Sequence, residues 1–349
     1  MPSNAAAWIT GPYASPLVVK EAPYPSPGPE DLVVQTAAVA INPMEYKIQD
    51  YNPPIGGRDI QYPMILGSDM AGTIVSVGSD VTRRKVGERV MAHTHGVSIG
   101  QPARSAFQHF VIVPEHLATL VPVSFSFEAA AVLPLGCDTA MAGLFVTNQL
   151  GLSTAGLGDT DSAPPAPGSA LLVWGGSSSV GCCAIQMAHA AGYEVYTVAS
   201  VRNHGLCSSL GATAVFDHAA PDVEDAIVAA LNGKVMVGAL DCIVDEEKTV
   251  PVCARILART SGRKKLMMVL SPPDIELAEG VEAQRLSIPS LMGSKTYDTV
   301  HAWMTKALDD GTLQPKPDPM VVGEGLGSVQ LGLDTIRKGV SAAKVVVRL

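Results

Sequence analysis

The sequence predicts an α/β protein in which a mostly β region is followed by a doubly wound parallel sheet. The first third is rich in Pro, Gly and β-branched residues, with short apolar runs separated by turn signals. From about Ser124 onward, strand-like and helix-like segments alternate, which is typical of a parallel sheet with helices on both faces. The length of 349 residues favours two domains over one, so we expect a boundary near residue 125.

The individual elements follow from local patterns of apolar residues. In the first third, the runs at 32–39, 71–77 and 110–113 predict strands. In the remainder, strands are predicted at 171–174, 193–199, 214–216, 239–244 and 266–270, with a closing strand at 344–348. Helical spacing predicts helices over 180–191, 223–231, 253–257 and 300–308. The Gly-, Ser- and Pro-rich segment 151–168 is typical of a surface loop.

Composition and charge exclude several classes of protein. With 47% hydrophobic and 16% charged residues, the chain has a globular and not a disordered composition. Its net charge of -9 offers no positive field, so we expect a small-molecule ligand and no nucleic acid or membrane partner. Six scattered cysteines without CxxC spacing fit free thiols, and residues 1–10 show no targeting signal, so we expect a cytoplasmic protein.

One uncharged segment, 167–193, is long enough to span a membrane. Its middle, residues 175–181, contains three serines and three glycines. Those residues are unfavourable in lipid and useful in a ligand-binding loop. We therefore expect a soluble strand, turn and helix here.

The strongest chemical signal is this turn, Gly175-Gly-Ser-Ser-Ser-Val-Gly181, between a buried strand and an amphipathic helix. Such a turn directs backbone N–H groups and the positive end of the helix dipole at a pyrophosphate. In a G-x-G-x-x-G frame, Ser178 replaces the middle glycine. The candidate cofactor-binding residues in the turn are Gly176, Ser177, Ser178, Ser179 and Val180. A tight turn without a ligand is the alternative, but the order strand, turn, helix and strand favours a cofactor.

The residues after the next strand bear on the choice between NAD and NADP. An acid at the end of that strand would bind the ribose 2′-hydroxyl and repel a 2′-phosphate, and residues 197–204 contain none. Instead, Ser200, Arg202 and Asn203 offer donors suited to a phosphate dianion. We therefore expect NADP(H) as the cofactor, the alternative being that Arg202 is merely a solvated surface residue.

With the cofactor turn placed after a β-rich first third, the sequence resembles the medium-chain dehydrogenase/reductase superfamily over nearly its whole length. The matching motifs are Ile41-Asn-Pro-Met-Glu-Tyr-Lys47, Ile65-Leu-Gly-Ser-Asp-Met-Ala-Gly72, Val86-Gly-Glu-Arg-Val90, Leu133-Pro-Leu-Gly-Cys-Asp-Thr-Ala140, Leu210-Gly-Ala212 and Gly339-Val-Ser-Ala-Ala-Lys344. The resemblance implies a GroES-like, mostly β substrate domain of residues 1–124 and 314–349. It also implies a Rossmann NADPH-binding domain of residues 125–313.

Zinc enzymes of this superfamily hold their metal with a Cys, a Gly-His-Glu motif and a later Cys or His. At the corresponding positions, this chain has Asn42-Pro43, Gly67-Ser68-Asp69 and Cys137. One thiolate cannot make a zinc site, so we expect no metal. His93 and His95 are spaced to share a face of a strand, but with no acid or thiol nearby in sequence they are more typical of loop histidines.

Among the zinc-free branches, the segments 47–51 and 62–69 resemble the fungal trans-acting enoyl reductases of polyketide biosynthesis. The resemblance implies NADPH-dependent reduction of an α,β-unsaturated acyl thioester carried on a synthase's carrier domain. It makes Lys47 and Thr139 candidates for contacting the carbonyl or the nicotinamide edge, and Tyr51 a candidate proton donor. It adds further candidate cofactor-binding residues, namely Pro43, His218, Leu270 and Lys344.

Two departures from that group concern the cofactor pocket, because His218 stands where Tyr is common and Ala342 where Gly is usual. Two alternatives therefore stay open, a stand-alone enone or quinone reductase and a redox-neutral cyclase or isomerase. A basic patch for an acidic carrier domain would favour the trans-acting enoyl reductase over both alternatives. The basic clusters in the sequence are residues 83–85 and 263–265. Either a monomer or a homodimer is compatible with the sequence.

Overall fold

The computed structural model describes residues 3–349. The amino-terminal part contains β1 (Asn4–Ile9), β2 (Val18–Ala22), β3 (Asp31–Ala40), α1 (Pro43–Tyr51), β4 (Met64–Ile65), β5 (Asp69–Val77), β6 (Arg89–His93), α2 (Gly96–Ile99), β7 (Phe110–Pro114), β8 (Thr119–Leu120) and α3 (Phe127–Ala130). The central part contains α4 (Pro134–Phe145), β9 (Ser169–Trp174), α5 (Ser179–Ala190), β10 (Glu194–Ala199), α6 (His204–Ser209), β11 (Ala214–Asp217), α7 (Val223–Ala230), β12 (Val235–Asp241), α8 (Thr249–Arg259), β13 (Lys265–Met268), β14 (Glu282–Arg285) and α9 (Lys295–Asp310). The carboxyl-terminal part contains β15 (Asp318–Glu324), α10 (Val329–Arg337) and β16 (Ala343–Arg348).

The chain forms two compact units, which divide after Leu135 and again before Pro315. The sequence places the first division earlier, at 125. The difference arises from α3, which packs on β3 and β5 of the first unit. Glu128 on this helix also pairs with Arg348 of β16, so residues beyond 125 belong to the first unit.

The first unit is built on two β sheets. A seven-stranded sheet has the order β15-β16-β3-β5-β6-β8, with β7 paired to β3, and a three-stranded sheet has the order β2-β1-β4. The carboxyl-terminal strand β16 lies between β15 and β3, where Val345, Val346 and Val347 are fully buried. The closing strand is thus an interior part of the first unit.

The second unit is a six-stranded parallel sheet of order β11-β10-β9-β12-β13-β14. Counted from β9, this is the 3-2-1-4-5-6 order of a doubly wound dinucleotide-binding sheet. Every residue of the central strand β9 is buried, and Leu172 and Trp174 on one of its faces pack with Ile227 and Ile256 of the helices α7 and α8. The predicted fold class is confirmed.

Local sequence patterns did not predict several elements, among them β14, β15 and α10. Strand β14 has the sequence Glu-Ala-Gln-Arg, without an apolar run, and exists because its backbone pairs with β13. Strand β15 begins in a Pro-rich stretch, and it is ordered by pairing with β16.

The uncharged segment 167–193 forms β9, the glycine turn and α5, as expected from its sequence. Among residues 3–349, the segment Phe127–Phe145, which includes α3 and α4, is long and apolar enough to cross a membrane by length and composition. Most of its apolar window, 78%, is buried inside the protein, as in the core helix of a globular domain.

Candidate functional site

The glycine- and serine-rich turn connects β9 to α5 in the second unit, at the point where the strand order reverses. Gly175 adopts a φ of 82°, which lets the chain turn sharply out of the sheet. Ser178 is the N-cap of α5, because its hydroxyl oxygen accepts a hydrogen bond from the Gly181 N–H at 3.0 Å. The first turn of α5, with Ser179 and Val180, therefore presents backbone N–H groups and a helix dipole at the crevice where such sheets bind ligands.

Two glycines of the turn are required by close packing. A Cβ atom at Gly181 would lie 2.2 Å from the carbonyl oxygen of Gly175, and one at Gly176 would lie 2.1 Å from Oγ1 of Thr197. Because these two glycines have no side chain, α5 can pack closely against β9 and β10. The turn therefore has the close helix–sheet approach that the dinucleotide fingerprint requires.

The residues after β10 lie beside the turn. Asn203 donates a hydrogen bond from Nδ2 to Oγ of Ser177 at 3.1 Å, which ties the end of β10 to the serine turn. The Ser200 hydroxyl lies 3.1 Å from Nε2 of His218, the residue that follows β11. Arg202 is exposed. The structure thus places the candidates after β10 and β11 at one edge of the sheet.

Three exposed apolar side chains follow the carboxyl ends of parallel strands in this unit. Val201 after β10 is 64% exposed, Ile243 after β12 is 48% exposed and Leu270 after β13 is 38% exposed. Apolar walls with a few polar groups are typical of cofactor crevices. Of these three residues, the sequence analysis predicts a cofactor role only for Leu270. The predicted strand 239–244 includes Ile243, whereas β12 ends at Asp241.

Asp241 shapes the turn that presents Ile243. Its Oδ1 accepts hydrogen bonds from the N–H groups of Ile243 and Val244 at 2.9 and 3.0 Å, and its Oδ2 accepts from the Thr249 hydroxyl at 2.5 Å. Burial raises the pKa of Asp241, although these hydrogen bonds oppose that shift. The carboxylate is therefore a structural anchor for the end of β12.

A second polar cluster lies buried in the first unit. The Lys344 ammonium donates to Oδ1 of Asn42 at 2.5 Å and pairs with Oδ2 of Asp69 at 2.9 Å. Asn42 Nδ2 donates to the same Asp69 oxygen at 2.9 Å, and the Leu135 N–H donates to the other at 2.6 Å. Sequence reasoning assigned Lys344 to the cofactor, and the structure shows its ammonium occupied by Asn42 and Asp69.

Glu45 is the second carboxyl of this cluster, which we call the Lys344 cluster. Its Oε2 accepts the backbone N–H of Asn42 at 2.5 Å, and it has no solvent exposure. Burial, followed by the neighbouring Asp69 carboxylate, raises the pKa of Glu45 from 4.5 to about 7, against smaller opposing effects of Ser68, Asn42 and Lys344. Two buried carboxyls share one buried cation, so one of them favours the neutral form.

The Lys344 cluster contains positions that the resemblance matches to zinc ligands. Asn42 and Asp69 are bonded to an ammonium ion, and Ser68 is a buried hydroxyl beside Glu45. Zinc sites in proteins are built mainly from thiolate and imidazole. The donors present in this cluster do not fit a zinc ion.

The other residues considered for metal binding are Cys137, His93 and His95, and His93 pairs with Asp69 in the register of β5 and β6. Cys137 is on α4, with its Sγ 3.6 Å from Sγ of Cys183 in the second unit. The sequence favours loop histidines at both positions. In the structure His93 is the last residue of β6 and His95 lies outside the strand, before α2, and their ring centroids are 4.1 Å apart.

The candidate catalytic residues are placed on two helices. Lys47 and Tyr51 lie four residues apart on α1, which puts them on one side of that helix, and Tyr51 is 68% exposed. Pro43 is the first residue of the same helix and is exposed. Thr139 is buried on α4, in the second unit. The chemical roles of Lys47, Tyr51 and Thr139 remain predictions.

Two protein families match this chain, the alcohol dehydrogenase GroES-like domain over residues 28–123 and the zinc-binding dehydrogenase domain over residues 179–305. A protein of Aspergillus niger named Dehydrogenase azaJ is 38% identical over 100% of both chains. The chain belongs to the medium-chain dehydrogenase/reductase superfamily. Within this superfamily of oxidoreductases, it falls in the group that contains fungal trans-enoyl reductases, such as Trans-enoyl reductase himH of Aspergillus japonicus, which is 38% identical over 99% of this chain and 97% of its own.

Solved structures show the same fold. An alcohol dehydrogenase superfamily protein from Novosphingobium aromaticivorans superposes with a TM-score of 0.78, covering 99% of each chain at 22% identity. The expected fold class is thus confirmed by the solved structures, and the expected superfamily is confirmed by the family and relative matches above.

Proposed function

We propose that the protein is an NADPH-dependent enoyl reductase that acts in trans on an α,β-unsaturated acyl thioester during polyketide biosynthesis. The observation that carries the proposal is the serine-bearing turn at the reversal point of the second unit's sheet, in a chain similar over its full length to trans-enoyl reductases. Those relatives support the class of acceptor, and the chain's own residues support the identity of the cofactor.

The second unit has donors that fit a phosphorylated dinucleotide. The N-terminus of α5 and the hydroxyls of Ser177 and Ser178 suit a pyrophosphate. Arg202 and Ser200, at the end of β10, suit a ribose 2′-phosphate, and no acid stands among residues 197–204 to repel one. A bound nicotinamide supplies the hydride that this reduction needs.

The chain's own residues would orient the acceptor and manage the proton. Reduction of an enoyl thioester develops negative charge on the carbonyl oxygen, and donors placed there give a large rate effect. Lys47 and Thr139 are proposed for that contact, and Tyr51 for protonation of the α-carbon. Because the donors of the Lys344 cluster do not fit zinc, the proposed chemistry is independent of metal.

The proposed partner is a carrier domain of a polyketide synthase. The two basic clusters offer limited support, since both also hold loops in place. Arg84 donates to the Ala118 carbonyl at 2.8 Å, and Arg263 donates to the carbonyls of Gln149 and Leu150. Six free thiols agree with a reducing compartment, so the proposed location is the cytoplasm.

The test is oxidation of NADPH, followed by its absorbance, with matched acceptors. Enoyl thioesters on a carrier domain, the same acyl groups on a small thiol and simple enones are compared at equal concentration. Turnover of thioesters with little turnover of enones supports the proposal, and a preference for the carrier-bound form supports action in trans. Turnover of enones alone indicates a stand-alone enone reductase. Binding of NADPH without oxidation on any acceptor contradicts the proposed reaction.

A further inference from the structure

The carboxyl-terminal segment of the first unit holds both ends of helix α1, which carries two of the residues proposed to act on the acceptor. At the start of α1, the ammonium of Lys344 on β16 donates to Oδ1 of the N-cap residue Asn42. At the end of α1, Arg337, the last residue of α10, donates from Nε and Nη2 to Oδ2 and Oδ1 of Asp50, at 2.9 and 2.8 Å. The helix is therefore fixed at two points by residues that follow it by almost the whole length of the chain.

Arg337 belongs to a network and is not an isolated surface ion pair. Its two hydrogen bonds to Asp50 have the bidentate form in which a guanidinium matches a carboxylate. Nη2 also donates to Oε1 of Gln49 at 2.9 Å, and Gln49 is only 2% exposed. Gln49 donates to the Ala14 carbonyl at 2.9 Å and makes two hydrogen bonds with Gln330 of α10, each 3.1 Å long. A network with a buried member fixes geometry better than an exposed pair does, so the last turn of α1 is firmly joined to α10.

Packing and charge also favour this arrangement of the two helices. A Cβ atom at Gly332 of α10 would lie 2.8 Å from Cγ1 of Ile41, the residue before the N-cap of α1, so α10 approaches the start of α1 closely. Helix α1 has no basic residue in its own last turn, and Arg337 supplies the cation that the carboxyl end of a helix favours. Helix α10 thus bears on the position of α1 at its start and at its end.

We propose that Arg337 is a positioning residue for the reduction, because through Asp50 it fixes the last turn of α1 and with it the places of Lys47 and Tyr51 at the acceptor. Lys47 lies three residues before Asp50 and Tyr51 follows it directly, so a shift of this turn moves both. The inference rests on the proposed function for the roles of Lys47 and Tyr51. It goes beyond that function because it assigns part of the turnover to a residue of α10 that acts only through α1.

The experiment is a double-mutant cycle on Arg337 and Asp50, with kcat and KM measured for NADPH and for a carrier-bound enoyl thioester. Arg337→Gln and Asp50→Asn should each lower kcat about tenfold, since a misplacement of about 1 Å can cost about 100-fold and the start of α1 remains held by Lys344. The double variant should lose no more than either single variant, because both changes remove the same pair. Arg337→Lys keeps the charge without the bidentate fork and should lose less than Arg337→Gln. KM for NADPH should stay within about twofold, because the cofactor turn lies in the second unit.

Arg104→Gln is the matched control for a general loss of stability. Arg104 makes a bidentate pair with Asp31 in the same unit, with Nη1 2.9 Å from Oδ1 and Nη2 2.6 Å from Oδ2. Asp31 begins β3, whereas α1 follows the other end of that strand. The Arg104 pair is the less exposed of the two, with side chains 22% and 12% exposed against 32% and 28% for the Arg337 pair. Arg104→Gln should therefore lower the free energy of unfolding in urea at least as much as Arg337→Gln, and leave kcat unchanged.

Hydrogen exchange on peptides of α1 adds a measurement that needs no activity, and we expect faster exchange there in Arg337→Gln but not in Arg104→Gln. An unchanged kcat in Arg337→Gln, additive losses in the double variant or an equal fall of kcat in Arg104→Gln overturns the positioning role and leaves the reductase proposal standing. If the unchanged protein reduces no enoyl thioester, the proposed function is contradicted. In that case, faster exchange of α1 in Arg337→Gln alone still supports the hold of Arg337 on this helix, and equal exchange in all variants overturns it.

Discussion

Replacement of Glu45 by Gln should make the protein less sensitive to alkaline pH. Glu45 is fully buried beside the Asp69–Lys344 pair, and burial together with Asp69 raises the pKa of its carboxyl from 4.5 to about 7. In the unfolded chain the group ionises near its ordinary value, so the folded protein holds this proton more tightly. Stability from the neutral form is full below pH 4.5 and is lost as the pH rises toward about 7.

The expected change in the free energy of unfolding follows from the size of the Glu45 pKa shift. A rise of the Glu45 pKa from 4.5 to about 7 corresponds to about 3 kcal/mol in the free energy of unfolding once the group is ionised. The neutral amide of Glu45→Gln can still accept the Asn42 N–H, which preserves the start of α1. The variant should therefore gain about 2–3 kcal/mol relative to the unchanged protein between about pH 5 and about pH 8.

The assay is urea unfolding at both pH values, with pulsed hydrogen exchange on peptides of the first unit so that the transitions of the two units are separated. Glu115→Gln serves as the control without pH dependence in this range. Burial raises the pKa of Glu115, but hydrogen bonds from Arg83 and Thr82 outweigh it and bring the pKa below its ordinary value. The stability that the ionised Glu115 contributes is therefore already full above about pH 5, so the difference between Glu115→Gln and the unchanged protein should be nearly equal at the two pH values. A stability difference for Glu45→Gln that does not change with pH would refute the reasoning.

Three further substitutions and one control test the backbone, the cofactor turn and the phosphate assignment. Ala342 has a φ of 48°, so Ala342→Gly should raise the free energy of unfolding by about 0.5–1 kcal/mol in urea titrations, and a loss would contradict the strain. In Gly181→Ala the new Cβ would meet the Gly175 carbonyl oxygen at 2.2 Å, so the variant should lose about 2 kcal/mol or more and bind NADPH poorly. Gly205→Ala, where no atom lies within 4 Å, should keep both stability and binding, as checked by thermal unfolding and calorimetry. Arg202→Ala should weaken NADPH by about tenfold more than NADH, and equal losses in Kd would overturn the phosphate assignment.

The cofactor turn could be predicted from sequence because its chemistry is local. The glycines, the serine cap and the flanking strand and helix lie within one short segment, and the structure forms them there. Strand β14 could not be predicted in this way, since Glu282–Arg285 has no apolar pattern and is ordered by pairing with β13. Local patterns indicate elements that carry their own hydrophobic face, and tertiary pairing creates the rest.

The contrast between local patterns and tertiary contacts also explains why the Lys344 cluster could not be predicted from the sequence. The Lys344 cluster joins residues 302 positions apart, from Asn42 near the start of the first unit to Lys344 near its end. Neither the spacing nor the composition of the chain shows that Asp69 and Lys344 meet. A family motif contains Lys344, but only the fold shows that its charge balances a buried carboxylate.

This pairing gives a physical reason why the closing strand belongs to the first unit. Asp69 has no exposure, and a buried carboxylate without a cation costs several kcal/mol. Lys344 on β16 supplies that cation, and the neighbouring valines of β16 supply the apolar contacts that hold the strand between β15 and β3. Since the single ammonium is used by Asp69, Glu45 can remain buried only by favouring its neutral form, and the pH sensitivity predicted above is a consequence of how the two ends of the chain meet.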